Sequence, residues 1–404
     1  MFKSLLAGAA LALLASAAAP LAFGGEAEFV YVESNIKSPN GNSIYAFRRG
    51  EHGSLTLVPG APFLTGGAGV QDASLKLGPY DSDTEIITNP EHTLLFAVNS
   101  GSDSIAVFEI QENGALKPIE GSPFPSGGTN PVSLALSGNT LFVVNKNGDF
   151  ARQSGILPNY TSFRVLRDGR LRPLEGSTVS VALGSSPTQA LFVPGTNLLF
   201  GADFLGGLLQ RFNVNNDGYL RPRTPDALPG SEFADDATPR LPLGLWFHPI
   251  YPLLYVGFVT ENRLGVYEYN SYGHLKFLRS VPNSGKAICW LRVNRAGTRL
   301  YSSDTGTNSI SVYDLGLPEE PREIETVALS GLGNVLQFSL SSDNKYLYAL
   351  SSRGSAEIPD GEGNILHVLA VASDGSVTEA TGDAFNFHLP NGVRPQGVTT
   401  VTVR

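Results

Sequence analysis

Apolar residues recur at every second position in short runs, and polar turns separate the runs. In Leu94 to Gly128 the run LLFAVN is followed by a Gly/Ser/Asp turn, the alternating run SIAVFEI, an Asn-Gly turn and a shorter apolar piece. Period-two alternation with turn residues at the breaks predicts strands. Asn113-Gly114 suits the positive backbone angles of a tight hairpin. The stretch therefore predicts an antiparallel meander of about three strands.

The same unit occurs seven times along the chain. Runs of the LFAVN type begin at Phe29, Leu94, Leu141, Leu198, Leu253, Arg299 and Tyr346. Runs of the SIAVF type follow them at Asn42, Ser104, Thr161, Leu208, Arg263, Ser309 and Asn364. Units of roughly 45 to 65 residues, each a short sheet, are typical of a β-propeller. The sequence therefore predicts an all-β, seven-bladed β-propeller.

A further apolar run supplies the first strand of each blade. Six such runs precede their LFAVN partner and begin at Thr84, Pro131, Pro187, Pro242, Ala287 and Asn334. The seventh, PQGVTTVTV, begins at Pro395, close to the C-terminus. This order predicts that the C-terminal strand pairs into the first blade and closes the ring without a free edge.

Residues 1–25 have a different character. MFK precedes the apolar run LLAGAALALLASAAA, whose small residues suit a signal peptidase that cleaves between Ala17 and Gly25. The run is short and rich in alanine, and no later stretch is apolar over about 18 residues, so no membrane span is expected. We expect an exported protein, periplasmic or secreted, in which 26–404 forms a single propeller domain.

The composition of the chain limits the kinds of ligand and partner that we expect. The formal charge is −9 and no Lys/Arg block occurs, which argues against nucleic acid because phosphate binding needs a basic footprint. Cys289 is the only cysteine, so no intramolecular disulfide can form, and its apolar context AICWLRV predicts a buried filler. The six histidines have no zinc-motif spacing. We expect a monomer that takes a small molecule, without metal or cofactor.

Polar residues concentrate at one mouth of the predicted channel. The first and second strands of a blade are antiparallel, so starts of first strands and ends of second strands share a face. A pocket at this mouth is the leading site hypothesis. Its candidate substrate-binding residues are Asn99, Asn130, Asn145, Gln189, Asp203, Lys286, Arg292, Asp304 and Gln396.

A structural interpretation competes with the functional one. Asn and Asp at strand ends often cap neighbouring backbone groups, whatever the protein does. The acidic residues Asp81, Asp83 and Glu85 could bind a hard cation through oxygen. They lack the glycine-bearing spacing of a calcium loop, so a solvated acidic loop is the preferred interpretation.

The repeated pattern resembles a known family. LLFAVNSGSDSIAVFEI followed by NGAL, together with PVSLALS and FHPIYPLLYV, is similar to the seven-bladed lactonase family over essentially Phe29 to Arg404. That family includes 6-phosphogluconolactonase-type and 3-carboxymuconate cyclase-like proteins. The resemblance implies that a lactone ring is opened or closed, with no required metal in the cyclase branch. Such chemistry needs a general acid/base and cations that hold carboxylates.

The sequence departs from the family at its usual site positions. Family members carry Arg and His at inner-strand starts and a Glu after the second strand of a middle blade. Here Leu243 and Gly244 stand where Arg and His are expected, and Phe258 and Val259 where Asn and Glu are expected. Arg292 stands where a His is also found.

Three functions remain open. The first is an exported lactonase or cyclase with an altered site, in which Asp83 or Glu85 is the general base and Arg394 and Lys286 hold an anion. The second is a noncatalytic exported propeller that binds a carbohydrate or a protein at the same mouth. The third is another propeller enzyme, such as a lyase or a quinone-type oxidoreductase.

Overall fold

The structure is a ring of seven antiparallel sheets, which confirms the predicted all-β, seven-bladed propeller. A computed structural model describes residues 26–70, 81–148, 152, 154–230, 240–355, 357–359, 362–380, 382, 384–390 and 392–403. The predicted signal peptide lies outside these residues. Within the described part of the chain, no helix is long and apolar enough to cross a bilayer.

Each blade has four strands, which follow one another from the axis outwards. Blade 1 contains Gln396–Val403, Ala27–Glu33, Ser43–Arg49 and Leu55–Leu57; blade 2 contains Ile86–Thr88, Leu94–Asn99, Ser104–Ile110 and Leu116–Pro118. Blade 3 contains Pro131–Ser137, Thr140–Asn145, Asn159–Val165 and Leu171–Pro173; blade 4 contains Leu191–Phe192, Leu198–Asp203, Leu208–Val214 and Leu220–Pro222.

The remaining blades have the same order of strands. Blade 5 contains Pro242–Phe247, Leu253–Phe258, Arg263–Tyr269 and Leu275–Pro282; blade 6 contains Ile288–Val293, Arg299–Asp304, Ser309–Asp314 and Arg322–Ala328. Blade 7 contains Asn334–Leu340, Tyr346–Ser352, Ile365–Val371 and Val377–Glu379. A two-residue fifth strand, which the sequence pattern did not predict, joins five blades at Phe63–Leu64, Phe124–Pro125, Val179–Ser180, Asp226–Ala227 and Phe385–Asn386. The one 3-10 helix in the described residues is Glu51–Gly53.

The C-terminal strand closes the ring, as predicted. Gln396–Val403 pairs antiparallel with Ala27–Glu33, with Ala27 opposite Val403 at one end and Glu33 opposite Gln396 at the other. Because the last strand of the chain completes the first blade, closure leaves no unpaired edge between blades 7 and 1.

The hydrophobic core is divided among the blade interfaces. Alternate residues of a strand face opposite sides of its sheet, so the two neighbouring blades each receive half of the side chains. In blade 1, Phe29 and Tyr31 pack against blade 2, whereas Val30 and Val32 pack against blade 7. Strands buried on both faces explain why the LFAVN-type runs are almost continuously apolar.

The polar turns of the repeat tie neighbouring blades together. The Tyr31 hydroxyl donates to the carbonyl of Gly114 at 2.9 Å, and the Tyr301 hydroxyl donates to that of Gly375 at 3.0 Å. Both glycines have positive φ values, 79° and 88°, which a residue without Cβ adopts at little cost. The Asn-Gly and Asp-Gly turns therefore present a carbonyl to the preceding blade as well as reversing the chain.

Blades 5 and 6 approach each other closely at Gly244, where the sequence departs from the pattern that it resembles. A Cβ there would lie 2.0 Å from the Cys289 carbonyl oxygen and 2.9 Å from Trp290 Cα. The inner strand of blade 5 therefore has no room for a side chain at this point, and a histidine could not occupy it without separating the blades.

We expect Gly244→Ala to lower the free energy of unfolding by about 2 kcal/mol or more, because the added methyl must displace backbone. The matched control is Gly155→Ala, since no atom lies within 4 Å of its Cβ position; its cost should stay within about 0.5 kcal/mol. Urea unfolding of both variants measures the difference. Equal costs would contradict the close approach of the two blades.

Candidate functional site at the mouth of the central channel

The channel is filled by Asp81–Glu85, which we call the axial segment. The Ser82 carbonyl accepts hydrogen bonds from Trp290 Nε1 of blade 6 at 2.6 Å and from Gln337 Nε2 of blade 7 at 3.3 Å. The Thr84 carbonyl accepts from the Leu134 amide of blade 3 at 3.0 Å. The segment before blade 2 therefore crosses the axis and bonds to inner strands on opposite sides of the ring.

An ion pair lies at the centre of this segment. Arg292 Nη1 and Nη2 donate to Asp83 Oδ2 and Oδ1 at 2.9 and 2.8 Å. Gln189 Nε2 donates to the same carboxylate at 3.1 Å, and the Arg292 guanidinium stacks 4.3 Å from the centre of the Trp246 ring. The two-pronged geometry and the aromatic surface fix both charges in place.

Glu85 is surrounded by donors. Ser82 Oγ, Gln337 Nε2 and Gln396 Nε2 all reach its Oε1, at 2.6, 2.6 and 3.1 Å. Burial, and next the charge of Asp83, raises the pKa of the Glu85 carboxyl to about 7. Burial also raises the pKa of the nearby Glu33 carboxyl well above its usual value.

The interpretation of 81–85 as a solvated acidic loop is wrong. Asp83 and Glu85 are both 0% exposed, because the segment lies inside the ring rather than on its rim. Their assignment as general bases stays a prediction, although in this structure neither carboxyl is accessible to a molecule at the mouth.

Predicted binding residues at second-strand ends bond mainly to their own surroundings. Asn99 Oδ1 accepts from Asn42 Nδ2 and Thr65 Oγ1 at 3.0 and 2.6 Å. Asn145 Nδ2 donates to the Ser126 carbonyl, and Asp203 Oδ1 accepts the Ser186 and Gly206 amides. These contacts match the capping interpretation of strand-end Asn and Asp.

Asp304 continues this row in blade 6. Its carboxylate accepts from Ser302, Ser309 and Ser311 hydroxyls at 3.2, 3.4 and 2.6 Å. Burial raises the pKa of the Asp304 carboxyl to about 7, and the donors at Ser311 and Ser302 oppose this only in part.

Candidates at first-strand starts divide between the axis and the rim. Gln189 and Gln396 are buried against the axial segment, while Asn130 Nδ2 donates to the Ser100 carbonyl at 3.0 Å. Lys286 is exposed. Arg394 is largely buried and donates to the Gly354 carbonyl at 3.0 Å, and burial lowers the pKa of its guanidinium.

The sequence reasoning missed Lys146, a largely buried lysine that pairs with Asp81 at the first residue of the axial segment. Lys146 Nζ of blade 3 lies 3.8 Å from Asp81 Oδ2 and donates to the Asp81 carbonyl at 3.0 Å. Lys146 directly follows the second strand of blade 3, which ends at the mouth. The Lys146 and Asp81 side chains are only 7% and 15% exposed. The only sequence signal was the position of Lys146 directly after a second strand, next to the candidate Asn145.

A second polar chain was also missed. His367 Nε2 lies 2.7 Å from Ser351 Oγ, and His367 Nδ1 lies 2.6 Å from Glu379 Oε1. Ser351 and His367 are both 0% exposed, so this Ser-His-Glu chain joins three strands of blade 7 in the interior. Strand register alone brings these residues together, since they are 16 and 12 positions apart.

Comparisons with known proteins support the fold. No family model and no curated protein matches the chain. A solved structure of a proposed 6-phosphogluconolactonase from Bacteroides uniformis matches with a TM-score of 0.70 and 15% identity, covering 93% of this chain and 99% of that one. The periplasmic gluconolactonase PpgL of Pseudomonas aeruginosa matches with a TM-score of 0.68 and 16% identity, covering 94% and 100%.

The same fold also occurs in a protein with another description. A hypothetical selenium-binding protein from Sulfolobus tokodaii matches with a TM-score of 0.62 and 10% identity, covering 94% of each chain. At these identities the likeness shows a shared propeller, and a fold of this kind hosts many activities.

We expect Arg292→Ala to cost about 3 to 5 kcal/mol of unfolding free energy, because it leaves the Asp83 charge buried without its partner. The control is Arg152→Ala, which breaks the more exposed pair with Asp103 and should cost less than about 1 kcal/mol. Adding Asp83→Asn to Arg292→Ala should recover part of the loss. Similar costs for the two arginine variants, measured by urea unfolding, would contradict the role of the buried pair.

The raised pKa of the Asp304 carboxyl should make the stability of the fold depend on pH. Its pKa of about 7 in the folded chain exceeds the unfolded value of about 4, so the folded state binds the extra proton between these values. This contribution is complete below about pH 4 and is lost as the pH rises through 7, by at most about 1.4 kcal/mol per pH unit.

Asp304→Asn should therefore reduce the fall in unfolding free energy between about pH 5 and pH 8. The exposed Asp217 provides the control: Asp217→Asn should keep the wild-type pH profile. Parallel profiles for wild type and Asp304→Asn in urea unfolding would show that Asp304 does not bind the proton.

Proposed function

We propose that the protein is an exported lactone hydrolase whose reaction takes place at the mouth, at the Asp81 end of the axial segment. The observation that carries the proposal is the pair formed by Asp81 and Lys146, in which Lys146 Nζ lies 3.8 Å from Asp81 Oδ2 at the end of the channel. Adding water to a cyclic ester needs at least a general base, which a carboxylate can supply, and a positive charge that stabilises the oxyanion. The likeness to solved propellers described as lactonases supports the choice of reaction.

The proposed step is addition of water to the lactone carbonyl. The Asp81 carboxylate takes a proton as the water oxygen bonds to the carbonyl carbon. The Lys146 ammonium stabilises the negative charge that develops on the carbonyl oxygen. When the ring C–O bond breaks, the proton passes to the leaving oxygen, and the product is a hydroxy acid.

The other predicted residues have supporting roles in this proposal. Asp83 and Glu85 hold the axial segment, and thereby position Asp81, through their bonds to Arg292 and Gln337. Arg394 and the exposed Lys286 are proposed to attract an anionic substrate group at the rim. The alternative assignment makes Asp83 or Glu85 itself the base, and variants at the three carboxylates separate the two.

Export is the second part of the proposal. The pattern of residues 1–25 supports it, and one similar solved structure is described as periplasmic. N-terminal sequencing of the protein recovered from its native host would show cleavage between Ala17 and Gly25.

A noncatalytic binding propeller is the alternative. The observation that favours it is two exposed leucines in neighbouring loops on the same face, Leu183 at 89% and Leu205 at 66% exposure. Apolar side chains at the rim of a pocket would suit a binding site if a ligand or partner covers them. The side-chain-free position at Gly244 also removes one residue of the family's usual site.

The test is hydrolysis of a panel of sugar-acid and small aliphatic lactones by the mature protein, followed by pH-stat. We expect Asp81→Asn to lower kcat by about 100-fold or more, measured well below the variant's own melting temperature, because the change also removes the charge paired with the largely buried Lys146. Asp83→Asn and Glu85→Gln should lower activity only as far as they lower stability, and Arg394→Ala should raise KM.

The matched control is Glu357→Gln, which changes an exposed carboxylate in a loop on the same face and should leave kcat and KM unchanged. If Asp81→Asn kept full activity while folded Asp83→Asn or Glu85→Gln lost it, the general base would be Asp83 or Glu85 and not Asp81. No hydrolysis of any lactone by folded wild type would favour the binding propeller.

A further inference from the structure

One side of the mouth is uncharged and apolar. It is formed by three loop segments of blades 3 and 4, 154–158, 181–187 and 204–207, which we call the apolar rim. Their sequences, SGILP, VALGSSP and FLGG, contain no Asp, Glu, Lys or Arg. Each segment exposes at least one large aliphatic side chain: Ile156 and Leu157 in the first, Leu183 in the second and Leu205 in the third.

Backbone hydrogen bonds join the three segments into one surface. The Val181 amide donates to the Pro158 carbonyl at 2.9 Å. The Phe204 amide donates to the Ser186 carbonyl, also at 2.9 Å. On both segments that it joins, each bond is close in sequence to an exposed aliphatic residue. The aliphatic side chains therefore lie along one continuous stretch of the mouth.

The apolar rim adjoins the proposed reaction site at two points. Asn147, which follows Lys146, donates from Nδ2 to the Ile156 carbonyl at 2.6 Å. The Thr188 carbonyl, directly after the second segment, accepts the Asp83 amide of the axial segment at 3.1 Å. A molecule bound at the reaction site can therefore extend across the rim.

The side of the mouth formed by blades 6, 7 and 1 is charged instead. It carries the exposed Lys286 and Glu357, and Arg394 precedes the closing strand. Arg152 precedes the apolar rim in sequence but pairs with Asp103 of blade 2. A ligand that matches both sides has a polar end and an aliphatic part, because an aliphatic group on the rim removes apolar surface from water.

We propose that the substrate is a lactone with an aliphatic chain, in which the ring lies at the Asp81–Lys146 pair and the chain lies on the apolar rim. This inference rests on the proposed function, because it assigns a substrate class to the same site. It separates the substrate from sugar-acid lactones, whose hydroxyls would lose water against the same leucines without gaining hydrogen bonds.

The experiment measures kcat/KM of the mature protein for γ-butyrolactone, γ-hexalactone, γ-octalactone and γ-decalactone, which differ by two methylenes at each step. A fully buried methylene is worth about fourfold in binding, and a rim that covers one side of the chain should give about half of that free energy. We therefore expect kcat/KM to rise about fourfold per step. The rise should come mainly through KM, because the chain is bound alike in the ground state and the transition state.

Variants locate the chain. Leu183→Ser and Leu205→Ser should each lower the ratio of kcat/KM for γ-decalactone to that for γ-butyrolactone by about threefold, because each removes apolar surface from the rim. The matched control is Leu317→Ser. Leu317 has the same 66% exposure as Leu205 but lies in a turn of blade 6 on the opposite face, so this variant should keep the wild-type ratio.

The outcomes distinguish this inference from the proposed function. If the lactones are hydrolysed but kcat/KM does not rise with chain length, the inference is wrong and the proposed function stands. The same holds if Leu183→Ser and Leu317→Ser lower the ratio equally; the exposed leucines would then suit a protein partner. If folded wild type hydrolyses none of the lactones, the proposed function fails and the inference fails with it. The wild-type series is decisive even if a variant does not fold.

Discussion

The structure depends on a filled axis. Seven twisted sheets arranged in a ring leave a space at the centre, and in this protein Asp81–Glu85 occupies it. The Asp83–Arg292 ion pair supplies the two charges at this point, and each satisfies the other. Since a buried charge without its partner is strongly unfavourable, the position of the axial segment and the inner strand of blade 6 are determined together.

A filled axis also decides where chemistry can take place. Carboxylates inside the ring have neutral or cationic partners but no access to solvent, whereas Asp81, one residue before Ser82, is partly exposed beside Lys146. The residues that hold the segment and the residues that could act on a ligand are therefore neighbours in sequence with different tasks. In the proposed reaction, this arrangement lets a buried network orient a partly exposed carboxylate, as preorganised sites require.

Most of the repeated polar residues stabilise the ring of blades and do not line the candidate site. Asn and Asp at second-strand ends bind amides and hydroxyls of their own and adjacent blades, and the Asn-Gly and Asp-Gly turns receive hydroxyls from the preceding blade. Such contacts recur because the polar backbone groups at the strand ends of every blade need hydrogen-bond partners. What distinguishes one blade from another lies in single departures, such as Gly244, where two inner strands come too close for any side chain.

The sequence alone determined the all-β class, the seven repeats, the second and third strands of each blade and the closing strand at the C-terminus. These features follow from period-two alternation and turn residues, which are local properties of the chain. It also placed polar residues at the correct end of each strand. It could not separate those that cap a strand end from those that face a ligand.

Only the tertiary structure decided that Asp83 and Glu85 are interior, that Arg292 pairs with Asp83 from 209 positions away, and that Lys146 reaches Asp81. It also brought Glu33 to Gln396 at the point of ring closure. The physical reason is that a strand's alternation specifies which face a side chain takes, but not which side chain from another blade meets it. These contacts between blades arise when seven sheets close around one axis, and no single segment of the sequence specifies that closure.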